Sequence, residues 1–398
     1  MTGVVIIGAG HAGSQLSVSL RAEGYAGAIT LVESEDALPY HKPPLSKTFL
    51  KETAAQPQPL RSAQTYEAAG VVRRVAQVGA IDPGARRVML TTGEALPYDD
   101  LVLATGARSR MLPELAGLTN VHGLRSLWDA ERLRADLAGA GRVAVIGGGF
   151  IGLESAAAMA AMGRAVTVIE AAPRVLARVA APETSDRVQA TLAALGVDLR
   201  LGGPSVGFEK ENGRVTAVLT PDRLAVDLVL VGIGALPDMA LAQAAGLACG
   251  NGIQTDARLA TSAPHVWAIG DVACTTHWQT GARERIESVQ NATDQARHLA
   301  RSLTTGAQDA FRTVPWFWSD IGPLKLQIAG LSAGDDDRVL RADDVGLAVF
   351  HLRAGRLVSV ETLNAPAIHM IARRLLDKGV TPSVAQMVAG AEGLKALL

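Results

Sequence analysis

Cysteine is nearly absent: Cys249 and Cys274 are the only two in 398 residues. That excludes a disulfide scaffold and a multi-cysteine zinc or iron–sulfur centre. Residues 1–248 hold no cysteine at all, and neither thiol lies in a C-x-x-C. A reactive thiol pair in the first domain, as disulfide reduction requires, is therefore missing. An excess of charge of one sign is also missing, with 38 basic against 39 acidic side chains. That balance carries no footprint of a nucleic-acid binder. Long unbroken apolar runs are lacking too. The most membrane-like window, residues 143–162, is interrupted by three consecutive glycines and by Glu154, which argues against a transmembrane helix. The N-terminus has neither the basic start nor the long apolar stretch of a secretory leader, so a cytoplasmic location is expected. Aromatics are scarce at 4% and charged residues stand at 19%, but hydrophobic residues reach 48%. Disorder is excluded by that balance. The length corresponds to two or three domains at about 150 residues each.

Glycine is abundant, at 41 residues. Much of it falls in a diverged internal repeat. VVII at 4–7 reads as a buried strand, followed by GAGHAG at 8–13 and a helical stretch to residue 23. A second strand, 28–32, ends at Glu33. The same order recurs with VAVI at 143–146, GGGFIG at 147–152, an Ala-rich helix to residue 162, and a strand at 166–169 ending at Glu170. YDDLVLATGA at 98–107 is echoed by VDLVLVGIGA at 226–235. Short apolar runs alternating with helical stretches predict parallel α/β domains. Residues 85–92 and 214–220 alternate and predict antiparallel strands. Further strands are predicted at 266–269, 325–330, 346–352 and 356–361, and helices at 291–303 and 366–377.

Each repeat carries a phosphate cradle. In G-x-G-x-x-G the first glycine permits the turn, the second lets a pyrophosphate approach the backbone, and the third lets helix and strand pack closely. The helix N-terminus then offers unpaired N–H groups and the positive end of its dipole. The first cradle has Gly8, Gly10 and Gly13, with His11 and Ala12 between them. The second has Gly147, Gly149 and Gly152, with Phe150 and Ile151 between them. Glu33 lies 20 residues after Gly13, and Glu170 lies 18 after Gly152, the distance at which an acid takes ribose hydroxyls. Two dinucleotides in one chain point to a relay between a held flavin and an exchangeable nicotinamide. A carboxylate at 170 repels a 2′-phosphate and favours NADH over NADPH. Arg174 and Arg178 sit nearby, either opposing that preference or as ordinary solvated charge.

With PPLSK at 43–47, LVLATGAR at 101–108, GGGFIGLE at 147–154, AIGD at 268–271, ESVQNATDQA at 287–296 and WFWSD at 316–320, the chain resembles the FAD-dependent NADH:ferredoxin reductases of the putidaredoxin reductase type. These have a glutathione-reductase-like fold and supply electrons to bacterial haem monooxygenases and ring-hydroxylating dioxygenases. The resemblance implies two Rossmann-like domains plus a C-terminal α+β domain. Residues 1–112 and 236–312 would bind FAD, 113–235 would bind NAD, and 313–398 would form the last domain.

The resemblance also implies roles. Lys47 would lie beside flavin N5, paired with Glu154, and Trp318 would sit at the flavin or nicotinamide edge. Asp271 would bond the ribityl chain and Val289 would approach the ring. Lys42, Val78 and Arg125 would hold the adenosine and pyrophosphate side. Pro44 of PPLSK and Ala104, Thr105 and Gly106 of LVLATGAR fall at flavin-binding positions. Arg178 and Gly234 fall at NAD-binding ones. Other readings stay open. Lys47 could be a solvated loop lysine, Trp316 reads better as a core residue, and His11 either touches the pyrophosphate or merely starts a helix. Ile321 stands where glutamine is usual after WSD, and Lys42 where arginine is frequent.

The implied acceptor is a 2Fe–2S ferredoxin. An acidic ferredoxin needs a basic docking patch, for which Arg61, Arg73, Arg74, Arg108 and Arg110 qualify by type alone. Residues 312–398 carry ten basic and nine acidic side chains, so composition reveals no patch there. A small-molecule acceptor such as a quinone or monodehydroascorbate is an alternative. A redox-dependent interaction flavoprotein, similar to apoptosis-inducing-factor-like proteins, is another. A monomer is expected, because the last segment shows no apolar interface stripe.

Overall fold

The computed structural model describes residues 2–52, 54–203 and 206–398. The chain divides into two compact units. One comprises Met1–His41, Gln58–Arg108 and Leu236–Pro315, the other Lys42–Pro57, Ser109–Ala235 and Trp316–Leu398.

At the centre of the first unit is a five-stranded sheet in the order Val266–Ala268, Asp100–Leu103, Gly3–Ile7, Ala28–Glu33, Val71–Val75. All its pairings are parallel. Strand Gly3–Ile7 is buried at every position, as a strand covered on both faces must be. One face is covered by helices His11–Ala22 and Val289–Thr305, through Ala12, Leu16, Leu20, Ala292, Ala296 and Leu299. An antiparallel trio, Val78–Asp82, Arg87–Leu90 and Ala95–Pro97, follows the fifth strand.

The second unit repeats the plan. Its parallel sheet runs Asp198–Leu201, Ala165–Glu170, Arg142–Ile146, Leu228–Val231, Val121–His122. Gly3 pairs with Ala28 in the first sheet as Arg142 pairs with Ala165 in the second. Here too an antiparallel trio occurs, Gly207–Glu211, Arg214–Leu219 and Arg223–Ala225. The same unit holds a five-stranded antiparallel sheet, Trp316–Ile321, Leu324–Gly330, Arg356–Leu363, Leu347–Arg353, Asp337–Ala342. Helix Pro366–Lys378 buries Ile368, Ile371, Ala372, Leu375 and Leu376. This is the α+β character expected for the end of the chain. Strands Trp316–Ile321 and Asp337–Ala342 and the short helices Val384–Val388 and Ala391–Lys395 were not predicted. Among the described residues no helix is long and apolar enough to cross a membrane.

Candidate functional site

Both glycine fingerprints fold as strand, turn and helix. In each, the first glycine leaves the strand at positive φ, +102° for Gly8 and +107° for Gly147. A Cβ there would lie 2.3 Å from the Ala104 carbonyl oxygen or 2.6 Å from that of Gly232. These are the carbonyls after the neighbouring strands Asp100–Leu103 and Leu228–Val231. The turn therefore sits where chain direction across the sheet reverses, the usual ligand crevice of an open α/β sheet. The third glycine is forced by packing: a Cβ on Gly13 would be 1.9 Å from Gly8 O, and one on Gly152 2.3 Å from Gly147 O.

The middle glycines differ. A Cβ on Gly10 would meet nothing within 4 Å, and one on Gly149 only Gly232 O at 3.7 Å. Protein packing does not require glycine at either position. Each is also the N-cap of its helix and supplies no capping side chain. Open space and uncapped helix amides together fit a dinucleotide pyrophosphate in each cradle.

Glu33 ends its strand 7% exposed. Arg73 donates Nε to its Oε1 at 2.9 Å, and the two form an ion pair. Burial raises the Glu33 carboxyl above its ordinary range while Arg73 pulls it back. Arg73 is thus the counter-ion of Glu33. Arg61 is engaged as well, donating to Gln15 Oε1 at 2.7 Å. Glu170 is fixed differently: its Oε2 accepts the Gly148 N–H at 2.6 Å and its Oε1 that of Ala172 at 2.8 Å. Arg174 donates to the carbonyls of Ala177 and Ala180 and to Ser185 Oγ. It is an internal clamp, neither a solvated charge nor a counter to Glu170. Arg178 is exposed, its Nη2 3.9 Å from the Cβ position of Gly234.

The remaining flavin candidates of the first unit lie on several elements. Thr105 donates Oγ1 to Asp238 O at 2.7 Å, and Gly106 O accepts the Asp238 N–H. Asp271 follows Gly270, whose Cβ position is 3.0 Å from Ala12 Cβ, at the first fingerprint helix. Val289 opens its helix after the Ser288 cap. Val78 is partly buried in the antiparallel trio. His11 and His41 meet edge to face at 5.6 Å.

In the second unit Lys42 donates to Arg125 O at 3.4 Å. Pro44 lies in the turn Pro43–Ser46, which delivers Lys47. The lysine reaches Glu154 of the second fingerprint helix at 2.9 Å, with side-chain exposures of 18% and 4%. Lys47 is therefore not a solvated loop lysine. Its Nζ also donates to Pro43 O at 3.2 Å and lies 4.0 Å from Asp320 Oδ2. Glu154 accepts three more hydrogen bonds: Ser46 Oγ at 2.5 Å, Ser319 Oγ at 2.7 Å and the Asp320 N–H at 3.2 Å. A buried carboxylate needs such partners. Ser46, Ser319 and Asp320 escaped the sequence reading as functional residues, although PPLSK and WFWSD contain them.

Strand alternation puts Trp316, Trp318 and Asp320 on one face and Phe317 and Ser319 on the other. Phe317 packs edge to face on Phe150 at 4.5 Å. Trp318 lies 5.8 Å from Trp316, and Trp316 meets His369 and carries Arg373 over its ring at 4.2 Å. Trp316 is half-buried, not enclosed in a core. Both cysteines are free, and burial pushes both thiols up, so neither has thiolate character.

Two family models match the chain, pyridine nucleotide-disulphide oxidoreductase over residues 2–296 and reductase C-terminal over 316–398. The chain is 42% identical to rhodocoxin reductase of Rhodococcus erythropolis over 391 residues, covering 96% of this chain and 91% of that one. A solved ferredoxin reductase for the CYP199A2 system of Rhodopseudomonas palustris superimposes with a TM-score of 0.95 at 41% identity, with full coverage of both chains. The reductase of a covalent putidaredoxin reductase–putidaredoxin complex superimposes at 0.93 and 38%, covering 100% of this chain and 98% of that one.

Proposed function

The chain belongs to the pyridine nucleotide-disulphide oxidoreductase family and carries a reductase C-terminal domain, and from that premise we propose that it is an NADH-dependent flavoprotein that reduces a 2Fe–2S ferredoxin serving an oxygenase. The observation that carries the reading is the pair of glycine turns, each open at its middle glycine and each followed by a strand that ends in a carboxylate. The lack of a usable thiol directs the electrons to an external acceptor. The relatives' names supply the acceptor's class: ferredoxin in one, putidaredoxin in another.

We assign 1–112 and 236–312 to FAD, 113–235 to NADH and 313–398 to the C-terminal domain. Gly8, Gly10, Gly13, Glu33, Thr105, Asp271 and Val289 would hold FAD. Gly147, Gly149, Gly152, Glu170, Arg178 and Gly234 would hold NADH. Bound FAD supplies the ability to take a hydride and to give up electrons singly.

The chain's own residues do the rest. The N-terminal amides of the two fingerprint helices receive phosphate charge. Glu170, pinned by two backbone amides, keeps its oxygens where ribose hydroxyls donate and a 2′-phosphate is repelled. Lys47 supplies a cation whose position is set by Glu154 and Pro43 O. Since Ser46, Ser319 and the Asp320 amide also satisfy Glu154, Lys47 can turn toward another negative charge without leaving that carboxylate bare. Trp318 offers a flat stacking face. We further propose that the protein acts as a monomer in the cytoplasm, away from membranes.

The test is NADH-driven cytochrome c reduction with and without a 2Fe–2S ferredoxin from the same genome. A large ferredoxin-dependent increase is expected. Fast quinone turnover with no ferredoxin effect would move the function to a small-molecule reductase.

A further inference from the structure

Glu361 lies in strand Arg356–Leu363 of the C-terminal sheet and is 1% exposed. A carboxylate so buried demands partners. One is His351, whose Nε2 lies 2.7 Å from Oε1. The other is 180 residues away in sequence: the Ala181 N–H donates to both oxygens, at 2.9 and 3.0 Å. Ala181 is the N-cap of helix Pro182–Ala194 and has no side chain that can cap. Glu361 instead fixes the N-cap residue itself by accepting its N–H, the role an acid plays in a capping box, at the end of the helix where the dipole favours an anion.

The segment that Ala181 terminates runs from Glu170. Leu176, though not glycine, is buried at φ +54°, a conformation that persists only where surroundings enforce it. Its N–H donates to Gly148 O at 2.9 Å, inside the second fingerprint. The Val175 N–H donates to Gln189 Oε1. On this scaffold Arg178 stands exposed over Gly234.

We propose that Glu361 is a positioning residue for the pyridine nucleotide: by anchoring the N–H of Ala181, the N-cap residue of helix Pro182–Ala194, it holds residues 171–181 in the shape that presents Arg178 to the cofactor. This rests on the NADH reading of the second cradle. It gives the C-terminal domain a part in nucleotide binding beyond any contact with a protein acceptor.

The experiment is equilibrium titration of the FAD-loaded protein with NAD+, alongside hydrogen exchange of the amides at 174–181. Glu361→Ala should weaken NAD+ binding about 5- to 20-fold and speed that exchange. Glu361→Gln, which keeps a carbonyl oxygen for the Ala181 N–H, should hold affinity and exchange close to those of the unsubstituted protein. A loss in Glu361→Gln as large as in Glu361→Ala, with an acceptor for the Ala181 N–H still in place, overturns the proposal. So does an affinity for Glu361→Ala within twofold of the unsubstituted protein. If Glu361→Ala does not fold, Ala181→Pro carries the test. It removes the N–H and sets the ring Cδ against Glu361, at a φ of −64° that proline adopts, and unchanged affinity there overturns the proposal equally. No NAD+ binding by the unsubstituted protein would instead remove the functional reading itself.

Discussion

Glu154 shows how much one buried side chain can organise. Its four donors come from a turn before the helix and from a strand more than 160 residues later. Glu154→Ala strands Lys47 and two hydroxyls, and should cost about 3 kcal/mol in urea denaturation, the order found when a buried pair loses one partner. Lys47→Ala leaves Glu154 its other donors, so it should slow flavin reduction in stopped flow while FAD content stays normal; unchanged single-turnover rates would remove Lys47 from the chemistry. Two of the buried histidines contribute to acid sensitivity. Burial pushes His277 down to about 4, and burial with Arg373 and Lys325 does the same to His369. Both are neutral in the folded protein, whereas the unfolded chain takes up their protons below about pH 6.5. Their contribution is present above that pH and is lost as pH falls toward 4, by about 3 kcal/mol each at roughly 1.4 kcal/mol per unit. His369→Phe should flatten the fall of Tm across that window, the more so because neither ring nitrogen of His369 has a hydrogen-bond partner.

Among the elements, the strand–turn–helix units separate two roles that glycine plays. Gly10→Ala adds a methyl that meets no protein atom. The flavin-free protein should lose no more than the cost of alanine at an N-cap, about 1 kcal/mol, while FAD binding falls at least tenfold. Gly13→Ala drives a Cβ into Gly8 O, and should lower stability itself by about 1–3 kcal/mol, the usual range for overpacking. Equal effects of the two on melting would contradict this division. Glu170→Ala tests the second unit. NADH efficiency should drop and the NADPH-to-NADH ratio of kcat/KM should rise, since Arg174 is occupied elsewhere. A constant ratio would take Glu170 out of cofactor choice. The central parallel strands were legible because they are short continuous apolar runs ending at glycine or an acid, whereas Val71–Val75 and Asp198–Leu201 were not, because arginines interrupt them. Strand Asp337–Ala342 was not, because it is a largely exposed edge strand without an apolar stripe. Trp316–Ile321 was hidden by its run of aromatics, which masks a period of two.

Across the whole molecule, the duplication explains the economy of the design. One parallel-sheet plan serves for two dinucleotides, and the antiparallel C-terminal sheet adds Ser319, Asp320 and Glu361 to the second unit. The acceptor is the property least written into any one residue. Of the five arginines chosen by type for docking, Arg73 proves to be the counter-ion of Glu33 and Arg61 a donor to Gln15. Ferredoxin-dependent cytochrome c reduction is therefore the measurement that decides the whole-molecule function.

Local spacing sets the two glycine turns, their order and the acid at the end of each following strand. A phosphate-binding turn is built from consecutive residues, so its chemistry is set by local spacing and by the positive φ its first glycine needs. Tertiary structure decided the partners of the charges. Ser46 and Glu154 are 108 residues apart, Ser319 and Glu154 165, and Ala181 and Glu361 180. No local pattern encodes such pairs. They arise because a buried carboxylate must find donors among whatever segments the packing brings against it.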